Sequence, residues 1–329
     1  MTTLTVKTLK LLALSLTAAL SLAACNGGTA PAATVPATPQ AFFSANGAGV
    51  QVQSITLGTS PVSVTFAKGT ALTFAPGSLL DAGGAPYSGP VQVSVREVVS
   101  KSDMILSNVL AVSGVAPLVS GGMFNLDVKT PAGAALNVNP AQGVAVAVPL
   151  RAEANPKMQL FVPARCDAAT GAVNCPVPVT PSAGDSSVNW APVAGQFGVN
   201  TSTNPGAYVF SVFNKGWINC DFFYSDPRPK TTIHIGFTPV NDANTIMFLV
   251  PQGINTVIAL YTQDGANARK SYQNSLPIGM TTELVAITFD GGKQYLAHKT
   301  VTVSADLTDS LNFAEASAAD IKTYLAALN

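Results

Sequence analysis

The chain has 329 residues, a length that accommodates about two domains and a targeting segment. Hydrophobic residues make up 47% of it and charged residues only 10%, a composition that favours strands and turns over exposed helices. Two of its 17 basic residues, Lys7 and Lys10, fall in the first 24 residues, and none of its 17 acidic residues does. No basic surplus is left to neutralise phosphates, so we expect no nucleic-acid partner.

Residues 1–24 have the features of a secretory signal peptide. Lys7 and Lys10 precede an apolar run from Leu11 to Leu22, and small residues follow it. The run is shorter than the roughly 20 residues that a membrane-spanning helix needs. We therefore expect export and removal of this segment after Ala24.

The four residues Leu22-Ala-Ala-Cys25 resemble the lipobox of bacterial lipoproteins in both motif and position. The resemblance implies a diacylglycerol thioether on Cys25 and acylation of the new amino group, for example with palmitate. Several acyl chains, at roughly 0.8 kcal/mol per buried CH₂, give a stable membrane anchor. In that family an Asp after the cysteine favours the inner membrane, so Asn26 is compatible with the outer membrane. An ordinary signal peptide with a chance cysteine is the alternative.

Residues 25–48 are predicted to be a flexible tether. Pro31, Pro36 and Pro39 alternate with small residues, and no charged residue occurs between Lys10 and Lys68. Such a composition is typical of semi-extended linkers, which would hold the folded part away from the membrane.

Residues 49–225 are predicted to form a first β-domain. Apolar and polar residues alternate along several runs, as at Val91, Val93 and Val95, which places one face of each strand on a core. Turn residues separate these runs, and short strands with frequent turns indicate a sandwich.

Three parts of this domain depart from the strand pattern. Short helices are predicted at 76–81 and 102–107. Residues 163–206 are rich in Pro, Ser, Gly and Asn and are predicted to be an irregular excursion that includes Trp190.

One segment of the first domain resembles a known sandwich domain. The residues Phe74 to Leu79, followed by a turn and the strand Val91–Val99, are similar to the domain shared by zonula-occludens proteins, ankyrins and netrin receptors. Some relatives of that domain cleave themselves at a His-Phe-Ser site. This sequence has no such tripeptide, so the resemblance implies the sandwich and not the cleavage.

Cys166 and Cys175 flank a short segment of turn-forming residues, including Asp167 and Asn174. In an oxidising envelope we predict a disulfide that closes this loop. Two alternatives stay open, a pair that uses Cys220 and buried free thiols, because three internal cysteines allow at most one bridge.

The stretch 208–224 holds an unusual density of aromatic residues, which dominate burial wherever they pack. We predict that it lies where two β-domains meet, with Asn219 and Asp221 satisfying turn backbone. Cys220 is predicted to be a buried structural thiol. The residues assigned to this junction, or to a binding face, are Trp217, Asn219, Cys220, Asp221, Phe222, Phe223 and Tyr224.

Residues 226–329 are predicted to form a second β-domain. Its strand candidates are 231–238, 245–250, 256–261, 284–289 and 294–303, and Asp290-Gly-Gly292 is typical of a hairpin turn. A helix is predicted at 317–328, since Ser317 and Asp320 match a capping box and an apolar stripe follows. The stripe consists of Ile321, Tyr324, Leu325 and Leu328. The predicted fold class is thus mainly β, with two sandwich-like domains and a short C-terminal helix.

The sequence from 205 to the end resembles a group of uncharacterised envelope lipoproteins of Bacteroidetes-type bacteria. The likeness is carried by Gly216-Trp-Ile-Asn-Cys-Asp221 and by Asp226-Pro-Arg-Pro229. In that group the motif lies between two β-domains, so the resemblance implies architecture and location and no activity.

Few residues offer catalytic or metal-binding chemistry. The only histidines, His234 and His298, lie in strand candidates without the spacing of a metal-binding helix, and we interpret them as solvated positions. The sequence has no nucleophile elbow and no phosphate-binding glycine loop, so we expect no metal, no cofactor and no catalytic residue.

The leading hypothesis is a non-enzymatic, membrane-anchored envelope lipoprotein with a structural, adhesion or assembly role. Its partners would be the lipid bilayer, through Cys25, and envelope proteins or glycans. The first alternative is a carbohydrate- or peptide-binding module that stacks ligands on the aromatic residues of 217–224. The second is a thiol hydrolase at Cys220, which would need a base such as His234 close by.

Overall fold

The structure is a computed structural model that describes residues 36, 38–114, 116–165, 177–178, 189–194, 197–202, 205–238 and 242–329. It is mainly antiparallel β-structure with a short C-terminal helix, which confirms the predicted fold class. The predicted disulfide cysteines, Cys166 and Cys175, and the lipidation site Cys25 lie outside the described residues.

The elements up to residue 223 are α1 (Pro39–Asn46), β1 (Val50–Leu57), β2 (Val62–Thr65), β3 (Ala71–Phe74), β4 (Leu79–Leu80), β5 (Gly89–Val98), α2 (Lys101–Ser107), β6 (Val112–Ser113), β7 (Ala116–Lys129), β8 (Asn137–Val138), β9 (Val144–Pro149), β10 (Gln159–Arg165), β11 (Val177–Pro178), β12 (Asn189–Pro192), β13 (Phe197–Asn200), β14 (Ala207–Val212) and β15 (Gly216–Phe223).

The elements after it are β16 (Lys230–Thr231), β17 (His234–Phe237), a 3₁₀ turn (Asp242–Asn244), β18 (Ile246–Pro251), β19 (Ile258–Ala259), β20 (Thr262–Gln263), β21 (Ala268–Lys270), β22 (Leu276–Pro277), β23 (Thr281–Asp290), β24 (Lys293–Thr302), β25 (Thr308–Leu311), β26 (Ala314–Glu315) and α3 (Ala318–Ala326).

Two sheets enclose the core of the first region. Sheet 1 has the strand order β1-β5-β7-β15-β10-β11, with β6 beside β7 and β12 beside β10, and sheet 2 has the order β13-β14-β9-β3-β2. Alternate residues of both sheets point into one apolar cluster, for example Val93 and Phe124 from sheet 1 and Val146 and Phe210 from sheet 2. This sandwich follows from the period-two pattern, because burying one face of each sheet requires a second sheet opposite.

Two further sheets enclose the core of the second region. Sheet 3 has the order β19-β18-β23-β24-β26, and sheet 4 has the order β20-β21-β17-β25, in which β17 and β25 are parallel. Ile235 of sheet 4 and Leu249 and Leu284 of sheet 3 belong to the apolar cluster between them. The hairpin turn predicted at Asp290-Gly-Gly292 joins β23 to β24. Gly291 and Gly292 both have positive φ, as a two-residue hairpin loop of this type requires.

A third apolar cluster, which we call the central cluster, joins the two sandwiches. Sheet 1 contributes Met123 and Phe161 with its outer face, and sheet 3 contributes Val285 and Ile287 with its outer face. The helices α1, α2 and α3 fill the rest of the cluster with Phe42, Phe43, Met104, Ile105, Leu106, Ile321 and Leu325. Strand β23 is therefore buried on both faces, which explains its continuous apolar run.

The tether prediction for residues 25–48 is wrong at its C-terminal end. Residues 39–46 form α1, with Thr38 as N-cap and Pro39 in the first turn. Phe42 is completely buried, and its ring lies 5.5 Å from that of Phe289. The sequence pattern missed this helix because it is short and uncharged. Packing of its two phenylalanines stabilises it more than helix propensity does.

The prediction of an irregular excursion at 163–206 is also wrong where the structure describes that range. Strand β12 pairs with β10 of sheet 1, and β13 pairs with β14 of sheet 2. Trp190 is fully buried in the central cluster, and its indole Nε1 donates a hydrogen bond of 2.8 Å to the carbonyl of Leu110. Turn-rich composition concealed these strands because each is only four residues long.

Of the predicted helices, the one at 102–107 is confirmed as α2, and the one at 76–81 is wrong. Gly77 there has a φ of +77°, and the residues that follow form β4 beside β8. A single turn with a left-handed glycine cannot nucleate a helix. The C-terminal helix is confirmed as α3, and both hydrogen bonds of the Ser317–Asp320 capping box are present.

Helix α3 packs against both regions of the chain. It contacts α2 of the first region as well as sheet 3. The side chain of Asn329, just beyond α3, accepts a 3.0 Å hydrogen bond from the backbone N–H of Ser102 in α2. The two regions are thus joined by helix packing as well as by the chain between them.

Substituting Phe42→Ala is expected to lower the free energy of unfolding by about 3–5 kcal/mol, because it leaves a cavity in the central cluster. Urea denaturation followed by circular dichroism measures the change. The matched control is Ser44→Ala, an exposed position of the same helix, which should change stability by less than about 0.5 kcal/mol. Equal stabilities of the two variants would contradict the packed position of α1.

Candidate functional site

The aromatic stretch 208–224 is divided between two sheets. Tyr208, Phe210 and Val212 of β14 point into the core from sheet 2, whereas β15 lies in the middle of sheet 1 between β7 and β10. The chain crosses from one sheet to the other before Gly216, whose φ of +102° only glycine adopts without strain. Successive side chains of β15 alternate between the first sandwich core and the central cluster.

Cys220 points into the first sandwich core and is fully buried, as predicted for a structural thiol. Burial raises the pKa of this thiol well above its usual value, and the nearby charge of Asp221 raises it further. A thiol that is not ionised near neutral pH is a poor nucleophile. Both histidines belong to the other sandwich, where His234 pairs with Asp264 and His298 with Glu283. This geometry gives no support to a thiol hydrolase.

Asn219 and Asp221 lie on the opposite face of β15 and are also fully buried. The Asn219 amide donates a 2.6 Å hydrogen bond to Oδ2 of Asp221, and the Ser120 hydroxyl lies 3.4 Å from Oδ1 of Asn219. The interpretation that these residues satisfy turn backbone is therefore wrong, because both lie within a strand.

A β-bulge produces this arrangement. Cys220 pairs with Gly122 and Asp221 pairs with Ser120, so Gly121 is an extra residue on β7. A side chain at Gly121 would approach the carbonyl of Cys220 to 3.2 Å. The bulge places Ser120 of β7 beside the polar side chains of Asn219 and Asp221, an arrangement that sequence periodicity does not reveal.

The carboxyl group of Asp221 is only partly satisfied. Its Oδ1 has no hydrogen-bond partner among the described residues. Burial raises the pKa of Asp221 to about 7, and hydrogen bonds from Ser120 and Asn219 offset only part of this effect. The group is therefore poised to lose a proton near neutral pH, but it is enclosed by protein and has no access to a substrate.

The aromatic residues after Gly216 do not form one stacking platform. Trp217 and Phe223 pack against the central cluster, whereas Phe222 packs against the first sandwich core on the other face. Trp217 is partly buried and lies edge-on to Trp190 at 6.5 Å. A ligand-stacking surface needs exposed rings on one face, so this geometry does not favour the alternative of a binding module at these residues.

A shallow open cleft lies where the chain leaves β15. It has a volume of about 430 Å³ and is lined by Tyr224, Arg228, the loop 251–254 and residues 279–281. Asp226 next to the cleft accepts hydrogen bonds from the Tyr224 hydroxyl at 2.7 Å and from Arg228 at 2.6 Å. The bonds from Arg228 and Tyr224 hold the pKa of Asp226 below its usual range. These contacts fix the connector between the sandwiches. They also pair the Asp226 carboxylate with Arg228, so neither group has a free charge with which to bind a ligand.

A second polar group, which the sequence did not indicate, fastens α3 to sheet 3. Glu283 accepts a 2.7 Å hydrogen bond from the Tyr324 hydroxyl and another from Thr300. The ring of His298 lies 4.0 Å from that of Tyr324 and its Nδ1 is 3.4 Å from Glu283. Burial and the Glu283 carboxylate raise the pKa of the Tyr324 hydroxyl, so it remains a proton donor.

The part of the chain that the structure describes contains no group of three or more His, Cys, Asp or Glu side chains arranged to hold a metal ion. Within those same residues no helix is long and apolar enough to cross a membrane. No protein-family model, curated protein or solved structure matches this chain.

Replacing Asp221 with Asn should change the pH dependence of stability. The pKa of Asp221 is about 7 in the folded protein, whereas the ordinary value is 3.8. Between pH 3.8 and about pH 7 the folded state therefore keeps a proton that the unfolded state has released. The stabilisation from Asp221 is complete below about pH 4 and is lost as pH rises toward 7, at up to about 1.4 kcal/mol per pH unit. Asp221→Asn removes this loss and should be the more stable protein at pH 8.

Urea denaturation of both proteins from pH 4 to pH 8 measures this difference. Glu153→Gln removes a carboxylate at an exposed position and should follow the wild-type curve. Parallel curves for wild type and Asp221→Asn would contradict the buried, proton-binding position of Asp221.

Tyr324→Phe should lower the free energy of unfolding by about 1–3 kcal/mol, because it leaves the buried Glu283 carboxylate without one of its donors. The control is Lys322→Ala, an exposed position of α3, with an expected change below about 0.5 kcal/mol. Thermal unfolding by calorimetry compares the two variants. If both have the wild-type stability, the polar group does not fasten α3.

Proposed function

We propose that this chain is an exported, membrane-anchored lipoprotein of the bacterial cell envelope with a structural, adhesion or assembly role and no catalytic activity. The observation that carries the proposal is the lipobox Leu22-Ala-Ala-Cys25 behind a basic and then apolar signal segment. A thioether-linked diacylglycerol and an amide-linked acyl chain such as palmitate on Cys25 would provide two or more membrane anchors. Asn26 is compatible with the outer membrane.

The position of α1 supports an anchor close to the membrane. Only the residues between Cys25 and Pro39 separate the proposed lipid from the first helix, and they can span at most about 50 Å. Because α1 belongs to the central cluster, a pulling force on the lipid anchor would be transmitted through α1 to the core of the molecule. Such a connection suits a protein that bears load between the membrane and a partner.

The environments of the reactive side chains support a role without catalysis. The Cys220 thiol and the Asp221 carboxyl group are fully buried. His234 and His298 are each engaged with a carboxylate, Asp264 and Glu283 respectively. A general base must be within hydrogen-bonding distance of a substrate proton, whereas these histidines form their hydrogen bonds within the fold.

Two sandwiches joined by an apolar cluster form a mainly antiparallel scaffold, and adhesion and assembly proteins of many kinds use β-sandwiches. The likeness of Gly216–Asp221 to envelope lipoproteins of Bacteroidetes-type bacteria points to the same location. The partners that we propose are the bilayer, through acylated Cys25, and envelope proteins or glycans. No nucleic acid is proposed, because the chain after Ala24 has no excess of basic residues.

Metabolic labelling with a clickable palmitate analogue tests the proposal. The wild-type protein expressed in a bacterium with lipoprotein-processing enzymes should be labelled and sediment with the membrane fraction. Cys25→Ala should lose the label completely, because no other cysteine follows a lipobox. Mass spectrometry of the wild-type N-terminus should show an acylated Cys25 as the first residue.

Cys166→Ala is the matched control, since it removes a cysteine of the exported part and leaves the lipobox intact. It should be labelled as strongly as the wild type. Labelling that persists in Cys25→Ala, or that disappears in Cys166→Ala, would contradict anchoring through Cys25.

A further inference from the structure

Strand β1 differs from all the other strands that the structure describes at the edges of the four main sheets. It has eight residues, from Val50 to Leu57, and among the described strands only β5 pairs with it. The other edge strands have two to four residues, namely β2, β11, β13, β19, β20, β25 and β26. Proteins often keep their edge strands short, which prevents pairing with other chains. Strand β1 is long and lacks this protection.

The sequence of β1 lacks the other usual protections as well. Its residues Val-Gln-Val-Gln-Ser-Ile-Thr-Leu include no charged residue and no proline. Two of its side chains are large, apolar and exposed: Val50 is 55% exposed and Val52 is 56% exposed. Both lie on the outer face of sheet 1, opposite Arg96 and Ser94 of β5. An exposed, uncharged edge of this length is a template for a further strand.

The neighbouring edge of sheet 2, in contrast, is closed by side chains of β1. The Gln53 amide donates a 2.7 Å hydrogen bond to the carbonyl of Thr65, and the side-chain oxygen of Gln51 accepts one of 2.7 Å from the backbone N–H of Ala67. The Gln51 amide also donates to Glu97 at 2.9 Å. These bonds occupy the edge of β2 and hold β1 in place, whereas no strand among the described residues pairs with the outer backbone edge of β1.

We propose that β1 is a self-association edge that pairs antiparallel with β1 of a second copy of this chain. The two copies would then share one continuous sheet across a twofold axis. This inference goes beyond the proposed envelope anchoring and does not depend on it. A twofold pairing of identical edges is closed, because each copy uses its β1 edge once, so it yields dimers and not fibres.

The register follows from the faces of β1. In each copy the odd-numbered side chains of β1 face the core of that copy and the even-numbered ones face outward. A residue of one β1 must therefore lie opposite a residue of the same parity in the other β1. An axis at Gln53 satisfies this condition and pairs residues 50–56. It sets Val52 opposite Ser54 of the second copy and Val50 opposite Thr56 of the second copy. Both exposed valines then lie within the ladder beside small hydroxyl side chains, and no like charges meet.

The absence of charge on β1 favours a second copy over a charged partner. A basic or acidic peptide would find no complementary group on this strand, and it would have no electrostatic reason to choose β1. A second copy, in contrast, presents the same alternation of apolar and polar residues in the antiparallel direction. An edge contact of this size belongs to the weak class of interfaces, so its dimer should dissociate on dilution.

Sedimentation velocity of the full chain in detergent micelles, over a range of protein concentrations, tests the association. The wild type should show a concentration-dependent dimer, and Val52→Lys should raise its dissociation constant by at least about tenfold, because two lysines then lie close together at the axis. Ser94→Lys is the matched control. It adds the same charge to the same outer face one strand away from the edge, opposite Asp127, and should dimerise like the wild type.

This measurement does not require a lipid on Cys25, so a failure of anchoring and a failure of pairing are distinguishable. A wild type that is monomeric at every concentration, or a Val52→Lys variant that dimerises as tightly as Ser94→Lys, would overturn the proposal. Circular dichroism of both variants should match the wild type, because positions 52 and 94 lie outside the apolar clusters.

Disulfide cross-linking tests the register with an independent readout. A mixture of Val52→Cys and Ser54→Cys chains should form a bond between positions 52 and 54 on mild oxidation, detected as a linked peptide by mass spectrometry. Each variant alone should cross-link less, because identical positions are then diagonal neighbours about 7–8 Å apart. A stronger link within Ser54→Cys alone would overturn the axis at Gln53, and the absence of any link would overturn the pairing of β1 edges.

Discussion

The fold depends on covering the outer faces of two sheets that are apolar on both sides. Sheet 1 and sheet 3 each bury one face within their own sandwich, yet each still presents large apolar side chains, such as Phe161 and Val285, on the other. The central cluster buries these second faces against each other and against three short helices. At about 25 cal/mol per Å² of apolar surface, burying these faces stabilises the arrangement in which the two regions are joined.

This constraint also explains why the helices are short and why they come from distant parts of the chain. α1 precedes the first sandwich, α2 follows β5, and α3 ends the second sandwich. None is long enough to be stable alone in water, and each is held by the two or three apolar residues that it buries. Close approach helps, since Gly47 at the end of α1 lies against the carbonyl of Leu106 in α2, with room for no side chain.

Polar groups then select one arrangement among the many that would bury the same apolar surface. Asn219 donates to Asp221 within β15, and the bulge at Gly121 places the Ser120 hydroxyl beside Asn219. Glu283 gains the Tyr324 donor only when α3 lies with Tyr324 over His298. Because an unpaired buried polar group is costly, both groups penalise alternative packings. The reactive-looking residues of the chain are thus used for fold specificity, which is consistent with the proposed scaffold role of an anchored envelope protein.

The sequence by itself determined the fold class, most long strands, the Gly291–Gly292 hairpin, α2 and α3. These features are local: alternation of apolar residues, a glycine pair and a capping box act over a few neighbouring residues. The signal segment and the lipobox at Cys25 are local in the same way, and they carry the proposed anchoring. Only the tertiary structure decided the helical α1, the buried position of Trp190 and the two faces of β15. Their conformations depend on partners far away in the chain, as Trp190 depends on Leu110 and Phe42 on Phe289. The aromatic stretch 208–224 looked like one cluster because sequence shows proximity along the chain, whereas the backbone reversal before Gly216 sends its two halves to opposite sheets.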